Sequence, residues 1–209
     1  MGAVEVIELQ DGAVWQFRED LGGGHSVDAW LVAGERRVLL IDALQFAKGV
    51  YAKIRDCSPL PVDVLIAHGH GDHTGPAMGE IKEAGGKVYI HSADIPLVSA
   101  GGEYPAGFFD PLGEGQTFDL GGIVLEPLVV PGHTPGSLLA LERKRRWLFS
   151  SDTIGSGPFW VQLPHSSPLH ELRDHIKTLY DDVKQYPDLL IYPGHCYQSP
   201  VQLGLPYIA

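Results

Sequence analysis

Four short apolar runs in this chain lead directly into residues that bind metals. Val64-Leu65-Ile66-Ala67 enters His68-Gly69-His70-Gly71-Asp72-His73, and Leu128-Val129-Val130 enters Pro131-Gly132-His133. Leu148-Phe149 enters Ser150-Ser151-Asp152, and Leu190-Ile191-Tyr192 enters Pro193-Gly194-His195. A short continuous apolar run is the pattern of a strand buried on both faces. Neither packing nor solubility calls for five of the 10 histidines at such strand ends. Neutral imidazole and carboxylate are donors for zinc, and equally for hydrolytic iron or manganese. If the strands point the same way, His68, His70, Asp72, His73, His133, Asp152 and His195 converge at one sheet edge, beneath an open cleft.

The other elements fit around that requirement. Strands are expected at 14–17, 25–32, 38–41, 62–67, 87–90, 116–120, 123–130, 137–141, 147–150 and 189–192. Helices are expected at 46–56, with Phe46, Val50 and Ile54 on one face, at 75–84, stopped by Gly85-Gly86, and at 92–100. A last helix has Ser167 as N-cap and Pro168 in its first turn. Leu169, Leu172, Ile176, Leu179 and Val183 form its apolar stripe. The order predicts two packed sheets with helices on both outer faces, an α+β architecture, in one domain over 1–209. The glycines at 69, 71, 132 and 194 let the backbone turn sharply, and the His-Gly-His-Gly pair belongs on a loop rather than a helix.

Residues 101–116 read as a long irregular segment, a candidate lid carrying Tyr104, Phe108 and Phe109. Phe159 and Trp160 are candidates to wall a pocket near Asp152; ordinary packing is the alternative for all five aromatics. His170 and His175 fall off the apolar stripe and are expected in solvent, while His165 precedes the helix in a loop that could face the cleft.

The net charge of −11 disfavours a polyanionic partner. The one dense basic run, Arg143-Lys144-Arg145-Arg146, reads as a solvated hairpin turn, so no nucleic-acid role is expected. No apolar run approaches the roughly 20 residues of a membrane span. The first residues lack a basic-then-apolar leader, and Cys57 and Cys196 read as reduced thiols. A cytoplasmic location follows as the expectation, with a small-molecule substrate and a homodimer left open. Cys196 adjoins His195 and is taken as a neighbour of the metal site rather than a ligand.

The ordered motifs resemble the metallo-β-lactamase fold superfamily over about residues 25–195. Its signature is His-x-His-x-Asp-His, then His in a Gly-His-Thr-x-Gly setting, then Asp, then a final His. The resemblance implies a four-layer αββα sandwich and two divalent ions, most simply zinc, with iron or manganese as alternatives. It assigns His68, His70 and His133 to one ion, Asp72, His73 and His195 to the other, and Asp152 to both. Asp42 matches the family's Leu-Ile-Asp position and would orient the ligand loop. Class B1 antibiotic-hydrolysing enzymes carry Cys at the Asp152 position, and flavodiiron proteins carry Glu at the His70 position. Acyl-homoserine lactonases often have Tyr where Thr153 stands. What the resemblance implies is a compact glyoxalase II-like hydrolase lacking the C-terminal helical domain.

The expected chemistry is attack of a metal-bridging hydroxide on an ester, thioester or lactone carbonyl, with Asp72 as catalytic proton acceptor. Three alternatives share the motif. One is a mononuclear non-haem iron oxidoreductase like the persulfide dioxygenases, using positions like His68, His133 and Asp152. The others are a small-molecule phosphodiesterase and a metal-binding protein without catalysis.

Overall fold

Alternate residues of the buried strands go to opposite cores, and that alternation builds the layers. In the computed structural model, which describes residues 3–155, 160–196 and 203–208, strand β4 (Val38–Ile41) sends Val38 and Leu40 to one core and Leu39 and Ile41 to another. The first sheet runs in sequence order: β1 (Val4–Leu9), β2 (Val14–Gly22), β3 (His25–Ala33), β4, β5 (Val62–Ile66), β6 (Val88–Ile90) and β7 (Asp110–Pro111). Its first four strands pair antiparallel, and β4 through β7 pair parallel. The second sheet holds β8 (Phe118–Asp119), β9 (Val124–Val129), β10 (Leu138–Glu142), β11 (Trp147–Ser151), β12 (Leu190–Pro193) and β13 (Leu203–Gly204). Only β11 and β12 pair parallel there. Because β10 is antiparallel to both neighbours, β9, β11 and β12 all run the same way.

Helices α1 (Val50–Cys57) and α2 (Ala77–Glu83) cover the outer face of the first sheet, with Val50, Ile54, Met78 and Ile81 packed on Leu40, Val64 and Ile66. The short helix α3 (Ile95–Ser99) adds Val98 to that core. Trp30, Leu39, Ile41 and Leu65 meet Leu138, Trp147, Phe149 and Tyr192 between the sheets. Helix α4 (Leu169–Val183) lays Leu179 and Val183 on Leu139, Leu141, Leu148 and Ile191. Each fully buried Leu, Ile or Val contributes about 1.5–3 kcal/mol. The result is the αββα sandwich that the element order predicts.

Several local expectations are corrected. The helix expected from residue 46 begins at Val50, because Asp42, Leu44 and Gly49 adopt positive φ and Glu19 accepts the backbone N–H groups of Gln45 and Phe46. Phe46 is therefore 56% exposed. Pro168, not Ser167, occupies the cap position of α4, and no side chain caps it. Instead the Ser167 N–H donates to the Gly132 carbonyl (2.8 Å) and the Ser166 hydroxyl to the His133 carbonyl (3.0 Å). Leu169, expected on the apolar stripe, is 66% exposed. His175, expected in solvent, is half-buried with Nδ1 2.7 Å from the Pro131 carbonyl. Its spacing from the stripe suits a helix edge, and the loop carrying His133 lies there.

The expected irregular segment contains a helical turn at Ala106–Phe108 and strand β7. Phe109 is core, whereas Tyr104 and Phe108 pack on each other at 4.6 Å. Phe159 lies outside the described residues, Trp160 is half exposed and His165 is exposed. The basic run forms the β10–β11 turn, where Arg143 pairs with Glu126 and Asp182, Arg145 with Glu142 and Arg146 with Asp188. Neighbouring carboxylates thus offset its charge. No described helix is long and apolar enough to cross a membrane.

Candidate metal centre

Parallel direction delivers the expected donors to one edge. Strand β5 ends before His68, β9 before His133, β11 before Asp152 and β12 before His195. Ser151 adopts φ +46°, an unusual conformation for a non-glycine residue, at the turn that aims Asp152. Beneath the edge, the Phe149 and Tyr192 rings stack at 4.8 Å, and the Trp30 indole N–H donates to the Pro193 carbonyl (2.9 Å). The loop carrying His195 therefore rests on a packed aromatic floor.

All seven sequence-predicted residues are brought together. Donor atoms of His68, His70 and His133 form one group within 4.8 Å, and those of Asp72, His73, Asp152 and His195 form another. Asp152 lies between them. Its oxygens are 3.3 Å from His73 Nε2 and 3.4 Å from His195 Nε2 on one side, and 3.5 Å from His133 Nε2 and 3.9 Å from His68 Nε2 on the other. Asp42, His68 and His73 form a third overlapping group.

The outer nitrogens have their own partners, which orient the rings. His73 Nδ1 is 2.9 Å from Asp42 Oδ2, and His195 Nδ1 is 2.5 Å from the Ser26 carbonyl. His133 Nδ1 is 2.6 Å from the Trp160 carbonyl, and His68 Nδ1 is 3.2 Å from Ser151 Oγ. Asp42 also accepts the Ala67 N–H (2.9 Å) and the Ser151 hydroxyl (2.6 Å). It thus joins two of the ligand-bearing segments, the His68–His73 loop and the turn that carries Asp152. Asp28 fastens the His195 loop: its N–H donates to the Gly194 carbonyl (2.8 Å), and its carboxylate accepts the Cys196 N–H (3.0 Å).

Sequence reasoning missed Asp28, Ser151 and the carbonyls of Ser26 and Trp160. Backbone carbonyls carry no residue signature, and a lone Asp or Ser in a strand carries little. The Cys196 thiol faces Gln16, 3.9 Å away, and burial pushes its pKa up. It joins neither donor group. Close packing explains two of the glycines: a Cβ on Gly194 would come 2.5 Å from Asp152 Oδ1, and one on Gly132 2.2 Å from Leu172. No described residue other than its chain neighbours comes within 4 Å of a Cβ placed on Gly71.

The set fits cations. Among the described residues, His68 Nε2 and Asp152 Oδ1 are buried without a hydrogen-bond partner. Ring nitrogens also face each other, His70 Nδ1 to His133 Nε2 at 2.8 Å and His73 Nε2 to His195 Nε2 at 3.3 Å. A divalent ion satisfies such convergent lone pairs where protons satisfy only some of them.

Without metal, burial holds His68 and His70 below the ordinary histidine range, their imidazole neighbours adding to the effect. Burial opposes charging of His73, but Asp152, Asp42 and Asp72 outweigh it and raise its pKa well above the usual value. Burial likewise opposes His195, but hydrogen bonds to Asp152 and Asp72 raise it to about 10. Burial opposes ionisation of Asp72 and Asp152, yet the His73 charge and a His195 hydrogen bond hold both below the carboxylate range.

These shifts set the pH response of metal-stripped protein. The raised His195 contributes stability that is complete below its unfolded value near 6.5 and is lost as pH climbs through about 10. The depressed carboxylates contribute stability present above about 3.8 and lost as pH falls below it. Metal must displace the imidazolium protons, so the gap in melting temperature between loaded and stripped protein should widen as pH rises from 6 to 9. Thermal melts with and without chelator measure it; a gap that narrows over that range contradicts the assignment.

The profile described as the metallo-beta-lactamase superfamily matches residues 22–195. An acyl-coenzyme A thioesterase from Gallus gallus is 27% identical over 195 residues, covering 76% of this chain and 69% of that protein. A hydroxyacylglutathione hydrolase from Nitrosomonas europaea is 31% identical over 127 residues, covering 60% of this chain and 44% of its own length. A metallo-beta-lactamase from Pontibacter korlensis superposes with a TM-score of 0.81 over 99% of this chain and 95% of that one, at 18% identity, a likeness of fold. On the profile, the fold and the convergent His and Asp donors, the chain belongs to the metallo-beta-lactamase superfamily of metal-dependent hydrolases.

Proposed function

We propose that this protein hydrolyses a small ester, thioester or lactone with two divalent ions, zinc being the expected metal. His68, His70 and His133 hold the first ion, Asp72, His73 and His195 the second, and Asp152 serves both. The observation that carries the reading is the position of Asp152 between two complete donor groups. Bound divalent ions supply Lewis acidity toward a carbonyl oxygen and lower the pKa of water toward neutrality. The chain's own residues do the rest. Asp72 is the most exposed of the donor carboxylates, 32% against 14% for Asp152, so it faces the cleft and can accept a proton from the attacking water. Asp42 and the Ser26 and Trp160 carbonyls hold the imidazoles in one orientation, so little reorganisation accompanies reaction.

A cavity of about 430 Å³ opens beside His70, with Phe46, Leu97, Val98 and Tyr104 on its walls and Glu103 as its one charged residue other than histidine. Such walls suit an uncharged, apolar acyl group. Each methylene buried there is worth about 0.8 kcal/mol, so kcat/KM should rise about tenfold from acetyl to butyryl thioester.

The deciding experiment combines metal analysis of aerobically and anaerobically purified protein with turnover on ester, thioester and phosphodiester panels. Two metals per chain with thioester or ester turnover is the expected result. One iron per chain with oxygen uptake on glutathione persulfide would overturn the reading.

A further inference from the structure

Asp94 is fully buried, yet it belongs to neither donor group and the hydrolytic reading gives it no part. It stands at the junction of the helical turn Ser92–Asp94 and α3. Its Oδ2 accepts the Gly69 N–H at 2.8 Å and the Thr134 hydroxyl at 2.6 Å, and its Oδ1 accepts the Gly136 N–H at 2.6 Å. Ser137 Oγ extends the network, accepting the Thr134 N–H at 2.9 Å and lying 2.8 Å from the Thr134 hydroxyl.

The placement of these donors carries the argument. Gly69 separates His68 from His70, and Thr134 follows His133 directly. One carboxylate thus fastens the two loops that carry the first donor group, reaching Gly69, 25 residues before it, and Gly136, 42 residues after it. Each loop presents a glycine N–H to Asp94, and the second adds the Thr134 hydroxyl. A Cβ on Gly136 would come 2.7 Å from its Oδ1, and one on Gly69 would come 3.1 Å from its carbonyl. Three donors converge on the two oxygens of the side chain; an amide in its place would turn its NH2 against a donor. The second donor group has anchors of its own: Asp42 on His73 and Ser151, and the Ser26 carbonyl and Asp28 of β3 on the His195 side.

We infer that Asp94 is a positioning residue that sets the spacing of His68 and His70 against His133, and so controls affinity at that metal position and not at its neighbour. The inference rests on the two-ion reading. Residues that orient metal ligands typically change metal affinity 10- to 100-fold when replaced.

The test titrates Co(II) into chelator-stripped full-length protein, followed by calorimetry and visible absorption. Wild type should take up two equivalents. Asp94→Asn should weaken one equivalent by about 10- to 100-fold and change the other by no more than about threefold. Asp28→Asn, which loosens the His195 side, should weaken the other equivalent. Should Asp94→Asn fail to fold, Thr134→Val removes one donor and keeps the carboxylate; it should weaken the same equivalent by roughly 3- to 10-fold, the worth of one ordinary hydrogen bond. Equal weakening of both equivalents, or the same equivalent lost in the Asp94 and Asp28 variants, overturns the inference and assigns Asp94 to general stability. Wild type taking up fewer than two equivalents fails the two-ion reading itself, and the inference falls with it.

Discussion

Asp152→Ala is expected to lower kcat/KM at least about a thousandfold and bring metal content below two per chain. Among the described residues, Asp152 is the one carboxylate whose oxygens approach both imidazole groups, within 3.3–3.5 Å of His73, His195 and His133. On the proposed two-ion reading, removing it takes a ligand from both positions at once and leaves a cluster of buried imidazoles without its central anion. Metal catalysis supplies several kcal/mol of transition-state stabilisation, and several kcal/mol correspond to about three powers of ten in rate. Gly194→Ala should act in the same direction, since its Cβ would press on Asp152 Oδ1 at 2.5 Å. Steady-state kinetics paired with elemental analysis of the same samples is the measurement. Two metals retained with near wild-type turnover would exclude a shared role for Asp152.

Asp42→Ala is expected to be the most destabilising single substitution at the site, by about 3–6 kcal/mol. Asp42 is 1% exposed and receives three hydrogen bonds, from the Ala67 N–H, the Ser151 hydroxyl and His73 Nδ1. Alanine leaves those buried donors unmatched, at about 1–3 kcal/mol each. It must also hold the φ of +64° seen at this position, which Asp tolerates better because its side chain bonds locally. Asp42→Asn keeps that tolerance and one acceptor oxygen, so it should lose less. Denaturant unfolding of metal-stripped protein separates the effect from lost metal binding. A loss under about 1 kcal/mol would remove Asp42 from its proposed role.

The layers were legible because strand periodicity is local. Leu39 and Ile41 against Val38 and Leu40 already encode a strand buried on both sides, and His, Asp and Gly at strand ends announce donors and tight turns. Other features were not legible for physical reasons. Phe46 looked like a helix residue because its spacing is helical, but Glu19, 27 residues away, holds that backbone in a loop. Ser167 has the chemistry of a cap, yet its N–H is used on Gly132. Asp94 reads as part of a short helix, and nothing near it in sequence reveals that donors from residues 69, 134 and 136 meet on its carboxylate.

The sequence by itself determined the donor types, their order along the chain and the two-sided burial of the strands that carry them. Those properties depend on residues a few positions apart. Tertiary structure decided which donors share a group, that Asp152 lies between the groups, and which atoms grip each ring from behind. Such contacts join residues as far apart as Ser26 and His195. They arise only once parallel β4 and β5 in one sheet, and β11 and β12 in the other, bring their loops to a common edge, so they are a property of strand register and packing rather than of any local stretch of chain.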